Sequence, residues 1–236
     1  MKKILAISLL LPSLSILGCN TTAANKIANS DSYDKAASDT YITENTIITD
    51  SNEALNKLKD GNTRFLNDKS KLINVTSERR SQLIDNQNPY AVIVSCSDSR
   101  VTPTTVFDCG LGEIFDIRLA GNILDTYALG SIEYGVEHLH SPLLVIMGHE
   151  KCGAVTAAYD KLKNGTEVHG NISAIVDEIL PHIKDSDDLN DAIEENIDAV
   201  YEEVQENEIV KNLVNKGKLK VVKAYYSLDG RVEFEK

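Results

Sequence analysis

The sequence predicts an α/β fold: a central, mostly parallel β-sheet flanked by helices. Three observations carry this. "YAVIVSC" (90–96) and "PLLVIMGH" (142–149) are unbroken apolar runs of strand length, the pattern of strands buried on both faces. Helically spaced segments lie between and after them, as the crossovers of a parallel sheet require. The chain has 236 residues, 42% hydrophobic and 25% charged, enough for one sizeable domain with additions at its start.

The elements follow in order. Residues 1–18 begin with Lys2 and Lys3 and continue into an apolar stretch too short to span a bilayer, which reads as an export signal. It ends "ILGC", similar to a bacterial lipobox, so Cys19 is the expected site of lipidation. Residues 19–51, rich in Asn, Thr, Ser, Ala and Asp without a sustained period, read as a flexible tether. The expected catalytic domain is 52–236. Its first helix is "EALNKLKDGNTRFL", with Leu55, Leu58, Phe65 and Leu66 on one face, and its second covers 77–87 with Ser77 as N-cap. "EIFDIRLAG" (113–121) is a further strand. Helices are expected over 124–140, 153–163 and from about 189 to 216. "KLKVVKAYYSLDGRVEF" closes with one or two strands around an Asp229–Gly230 turn.

The formal charge of −12 argues against nucleic acid as a partner, since phosphate neutralisation needs a basic face. It equally disfavours electrostatic docking on anionic lipid, which leaves the N-terminal lipid as the expected membrane attachment. With Cys19 consumed by lipid, the odd set Cys96, Cys109 and Cys152 cannot all pair, so at least one is a free thiol or a metal ligand.

"VSCSDSR" (94–100) ends a buried strand with Cys96, Asp98 and Arg100, none of them cheap to bury alone. "GHEKCG" (148–153) puts His149 and Cys152 three apart, just after a strand and opening a helix, where a thiol's pKa is lowered. Ligands in open parallel sheets bind beyond the carboxyl ends of the strands, and both motifs fall there. If the two strands are neighbours, two thiolates and an imidazole converge into a set that prefers zinc. Asp98 is then a fourth ligand, closing the site, or is held by Arg100 and leaves a position open for water.

Here the chain resembles the β-class carbonic anhydrases, on "EALNKLKDGNTRF", "NQNPYAV", "CSDSRVTP", "GEIFDIRLAGN", "LGSIEYGVEHL", "GHEKCGAV" and "VVKAYYSLDGRV". The resemblance implies one zinc per chain on Cys96, His149 and Cys152, with Asp98 binding it only in a closed state and Asp98–Arg100 gating the fourth position. It implies a substrate pocket lined by Gln87, Phe115, Tyr134 and Gly153, partly supplied by a second subunit. N-terminal helices packing on that partner imply a homodimer or a multiple of dimers. The implied reaction is attack of zinc-bound hydroxide on carbon dioxide to give bicarbonate and a proton. An exported, membrane-anchored enzyme of the periplasm or cell envelope is the expected setting.

The chain departs from relatives in places. Leu119 stands in "RLAGN" where many carry Asn, there is no tryptophan, and Ile93 replaces the Trp that an allosteric subgroup has three positions before its first cysteine ligand. Cys109 reads as a spare thiol, and His138, His140, His169 and His182 as surface residues. Two other readings stay open at this level: a related hydrolase of carbon disulfide or carbonyl sulfide using the same ligands, and a non-catalytic zinc or thiol protein of the cell surface.

Overall fold

The computed structural model describes residues 47–71 and 74–235. The expected signal sequence, Cys19 and most of the tether therefore lie outside the described residues. The described chain runs α1 (Ser51–Leu66), α2 (Ser77–Gln82), β1 (Ala91–Ser95), α3 (Pro103–Val106), β2 (Ile114–Arg118), α4 (Thr126–Glu133), β3 (Leu143–His149), α5 (Gly153–Asn164), α6 (Ile172–Ile179), α7 (Leu189–Glu206), α8 (Glu208–Asn215), β4 (Lys220–Tyr226) and β5 (Val232–Glu235).

The strands form one sheet in the order β2-β1-β3-β4-β5. The first four are parallel, and β5 returns antiparallel on β4. This is the predicted mostly parallel α/β sheet. Successive side chains of a strand face opposite ways, so β1 feeds two cores. Val92 and Val94 pack with Leu144 and Ile146 against α6 and α7 (Val176, Ile179, Ile193, Val200). Ala91 and Ile93 pack with Val145 and Met147 against α1 and α3 (Leu55, Leu58, Val106). All five residues of β1 and all seven of β3 are buried, which explains their unbroken apolar sequence.

Local chemistry moves several boundaries from their expected places. Asp50 caps α1, accepting from the Asn52 and Glu53 amides. The cap of α2 is Thr76, whose hydroxyl accepts from Arg79 N at 3.2 Å, and not Ser77, which is already helical; α2 ends at Gln82, before the expected 87. The segment expected to be one helix over 124–140 is α4, capped by Asp125, followed by a single wider π turn over Tyr134–His138. The long acidic helix is two helices, broken at Asn207, whose side chain caps α8 by accepting from the Ile209 and Val210 amides. β2 ends at Arg118, before the expected 121, because the chain then turns through Ala120–Asn122, with Gly121 at φ 74°.

α1 packs into its own chain's core through Ala54, Leu55 and Leu58, whereas α2 buries no residue. Arg64 ties α1 to the loop after α3, its Nε donating to Asp108 Oδ2 at 2.5 Å.

Candidate metal centre

β1 and β3 are parallel neighbours with Ser95 beside Met147, so their carboxyl ends deliver Cys96 and His149 side by side. Cys152 immediately precedes the first turn of α5. The three ligand atoms lie within 4.8 Å of one another and all three residues are buried. The Cys96 and Cys152 sulfurs are 3.9 Å apart. Two zinc–sulfur bonds of about 2.3 Å at a tetrahedral angle demand roughly 3.8 Å.

His149 supplies an independent test of the fit. Its Nδ1 lies 2.9 Å from the Glu150 carbonyl oxygen, which only accepts, so the proton sits on Nδ1. Nε2 therefore presents a lone pair. It is fully buried and has no hydrogen-bond partner. A buried imidazole nitrogen without a partner is costly unless something coordinates it. The donor set and its spacing fit zinc.

The thiols are electrostatically unequal. Cys96 is brought down to about 4, chiefly by the hydrogen bond from Cys152; burial opposes this, while the Gly121 and Asp98 amides assist. Cys152 is pushed far up because it holds the proton shared with Cys96 and because it is buried. A cation between the sulfurs would replace that shared proton.

Asp98 stands outside the ligand group. Arg100 holds it three times: Nε to Oδ1 at 3.0 Å, Nη2 to Oδ2 at 2.7 Å and the backbone N–H to Oδ1 at 2.9 Å. The guanidinium bond holds this carboxyl well below the usual range, so it is anionic. Of the two roles left open for Asp98, the structure displays the one in which Arg100 keeps the carboxylate.

Sequence reasoning missed Arg118, at the end of β2. Its Nε donates to Cys96 O at 3.1 Å and its Nη2 to Asp98 O at 2.7 Å, clamping the loop that carries both. The available signal was a lone cation ending a strand inside the motif "EIFDIRLAG". Glu150 was missed as well. Its N–H donates to Tyr226 O at 2.9 Å and its carboxylate accepts from Leu228 N at 3.0 Å, which fixes the carbonyl that orients His149.

The remaining expected site residues lie elsewhere. Phe115 pairs with Val92, four residues before Cys96 and therefore roughly 13 Å back along the strand at about 3.3 Å per residue. Tyr134 stacks near it, ring centroids 6.2 Å apart, and is half exposed. Gln87 is exposed in the loop before β1. Within one chain these three are not gathered around the buried triad. Gly153 opens α5 beside Cys152, and a methyl group there would meet no atom within 4 Å. Cys109 is buried in the other core, 3.0 Å from the Tyr90 hydroxyl, and burial pushes it up to about 12. It takes no part in the ligand group. His182 is not a free surface residue: its Nδ1 lies 2.9 Å from Asn196 Oδ1.

Known proteins are similar to this chain in sequence and in fold. The carbonic anhydrase family model matches residues 91–232. Carbonic anhydrase 2 of Mycobacterium tuberculosis is 41% identical over 126 residues, 53% of this chain and 61% of that protein. The carbonic anhydrase of Mycolicibacterium smegmatis is 44% identical over the same length and shares. The chain thus spans about three fifths of the length of these relatives. A tetrameric β-carbonic anhydrase of Sordaria macrospora superposes with TM-score 0.61 at 20% identity, covering 77% of this chain and 96% of its own. The Coccomyxa β-carbonic anhydrase solved with acetazolamide gives 0.60 at 24%, covering 76% and 85%. With a family match across more than half its residues, and the β-class fold around a Cys–His–Cys triad, the chain belongs to the carbonic anhydrase family.

Proposed function

We propose that this chain catalyses the reversible hydration of carbon dioxide to bicarbonate and a proton, with one zinc held by Cys96, His149 and Cys152. The observation that carries the reading is the Asp98–Arg100 pair: a closed structural site has no use for a carboxylate held off the ligand group by a three-bond clamp. Bound zinc supplies the nucleophile, since it can bring the pKa of a water to about 7.

The chain's own groups do the rest. The Asp98 carboxylate, kept anionic by Arg100, accepts a hydrogen bond from the attacking oxygen and orients its lone pair. Arg118 and Glu150 hold the two loops that set this geometry. Phe115 sits about 13 Å along the sheet from its own Cys96, Tyr134 stands beside Phe115, Gln87 lies before β1, and Tyr127 and Tyr134 are exposed. These placements support a homodimer or multiple of dimers in which such residues serve the partner's site, with the bare helix α2 part of the contact. Cys19, lipidated after export, would tether the enzyme to the cell envelope.

Metal analysis of the purified chain alongside a carbon dioxide hydration assay tests the reading. About one zinc per chain and hydration that a chelator abolishes are expected. Zinc without hydration, or hydrolysis of carbon disulfide or carbonyl sulfide in its place, overturns it.

A further inference from the structure

α7 crosses the sheet on the side of the Cys96 face, and one polar residue, Asn196, is fully buried there. Both ends of its amide are used. Nδ2 donates to the Gly121 carbonyl oxygen at 2.9 Å, and Oδ1 accepts from His182 Nδ1 at 2.9 Å. Gly121 in turn donates its N–H to Cys96 Sγ at 3.3 Å. A continuous polar path thus runs from His182 through Asn196 and Gly121 to the Cys96 sulfur, among the apolar side chains of this core.

Gly121 needs such a restraint. It sits at φ 74°, ψ 18°, a region glycine enters freely and also leaves freely, having the widest choice of backbone conformations. Packing leaves no room for a side chain there, since a Cβ would lie 2.7 Å from Ile179 Cδ1 and 3.1 Å from Ala154 Cβ. Its carbonyl belongs to the peptide unit that follows and its N–H to the one before, joined at Cα; holding the carbonyl narrows the rotation left to that junction, and with it the range over which the N–H can swing from the sulfur. A thiolate that accepts an N–H bond passes less charge to the cation it holds, and groups behind a ligand commonly tune both affinity and reactivity.

We propose that Asn196 is a positioning residue for Cys96: through the Gly121 peptide it aims an N–H at the ligand sulfur and so sets how strongly that sulfur donates. This rests on the triad being a metal site, and the experiment separates the two claims. In the cobalt(II)-substituted chain, Asn196→Leu, with the same branching and heavy-atom count but without hydrogen bonds, should move the thiolate-to-cobalt charge-transfer band to longer wavelength. Chelator competition should show zinc binding weakened by about tenfold, because the same N–H stabilises and places the free thiolate that must form before the ion binds, and losing it outweighs the stronger donation. In the unaltered chain loaded with ¹¹³Cd, the Gly121 amide proton should show a scalar coupling to cadmium through Sγ, a measurement that does not depend on any variant folding. Metal uptake with no coupling to Gly121, or a folded Asn196→Leu with wild-type spectrum and affinity, overturns the inference and leaves the metal site standing. A wild-type chain that takes up no metal overturns both.

Discussion

Arg118 donates to the carbonyl oxygen of Asp98 at 2.7 Å while Arg100 holds the same residue's carboxylate, so Asp98 is fixed at both its backbone and its side chain. The second Arg118 bond, to Cys96 O at 3.1 Å, ties the ligand and the gate to one anchor on β2. Removing this anchor in Arg118→Leu leaves two carbonyls without their donor and frees the loop. Zinc affinity should fall by about 10- to 100-fold, as for other groups that support a ligand. Chelator competition measures it, and unchanged affinity with unchanged hydration would show the clamp to be idle.

The ligand triad makes a sharper prediction. On the proposed reading three donors hold the ion and none is spare, so Cys96→Ala, His149→Ala and Cys152→Ala should each lose most zinc and activity. Cys109→Ala, in the opposite core, should keep one zinc per chain. Elemental analysis of the four variants decides it; full zinc in all three triad variants would sink the assignment.

Arg100→Ala tests the gate. Without the guanidinium, only the backbone N–H of residue 100 is left of the three bonds that hold the Asp98 carboxylate, and it leaves Oδ2 free to turn to the metal. Zinc should remain, while hydration falls on the order of a hundredfold or more, the scale for losing a preorganised polar group. Asp98→Asn should behave similarly, since an amide cannot form the same charged pair. Near-normal hydration with zinc bound in Arg100→Ala would make Asp98 a bystander.

Glu113 predicts an acid-dependent loss of stability. Burial pushes its carboxyl up, but Lys57 Nζ at 2.7 Å and the Gly110 N–H outweigh that, and the net shift is downward. A folded pKa below the unfolded one, about 4.3 for Glu, means that the folded state binds the proton less readily. The stabilisation is therefore complete above about pH 4.3 and is lost as pH falls through the folded value. Glu113→Gln should cost about 1 kcal/mol at pH 7, and the difference should shrink to nothing in acid. Urea unfolding at several pH values measures it, and a gap independent of pH would refute the linkage.

Cys19→Ser tests the expected anchor. The variant should leave the membrane fraction while hydration activity persists. A wild-type protein that stays cytoplasmic with residues 1–18 attached would contradict both export and lipidation.

The parts of this molecule legible in its sequence are those fixed by local or two-sided burial. β1 and β3 are covered on both faces, so each reads as an unbroken apolar run, and the ligand motifs that follow mark the strand ends without ambiguity. What could not be read depends on tertiary partners. Arg118 is an ordinary strand-end cation until Cys96 and Asp98 arrive beside it. His182 looks like a surface histidine until α7 brings Asn196 to it. Asn207 breaks a pattern that is helical on either side, because its side chain serves the next helix better as a cap. α3 and α6 are short, four and eight residues, below the length at which periodicity speaks.

The adjacency of β1 and β3 also bears on how the molecule is assembled. The two strands are neighbours in space, but α3, β2 and α4 lie between them in the chain. The ligands therefore stay scattered in the nascent polypeptide, and no short segment can capture the ion alone. On the proposed zinc reading, metal uptake awaits the long-range closure of the sheet, the slow step in chains rich in distant contacts. The cation would then reward only the completed topology, stabilising it by mass action against partly built alternatives. In a refolding time course, zinc capture would serve as a clock for the moment the sheet closes.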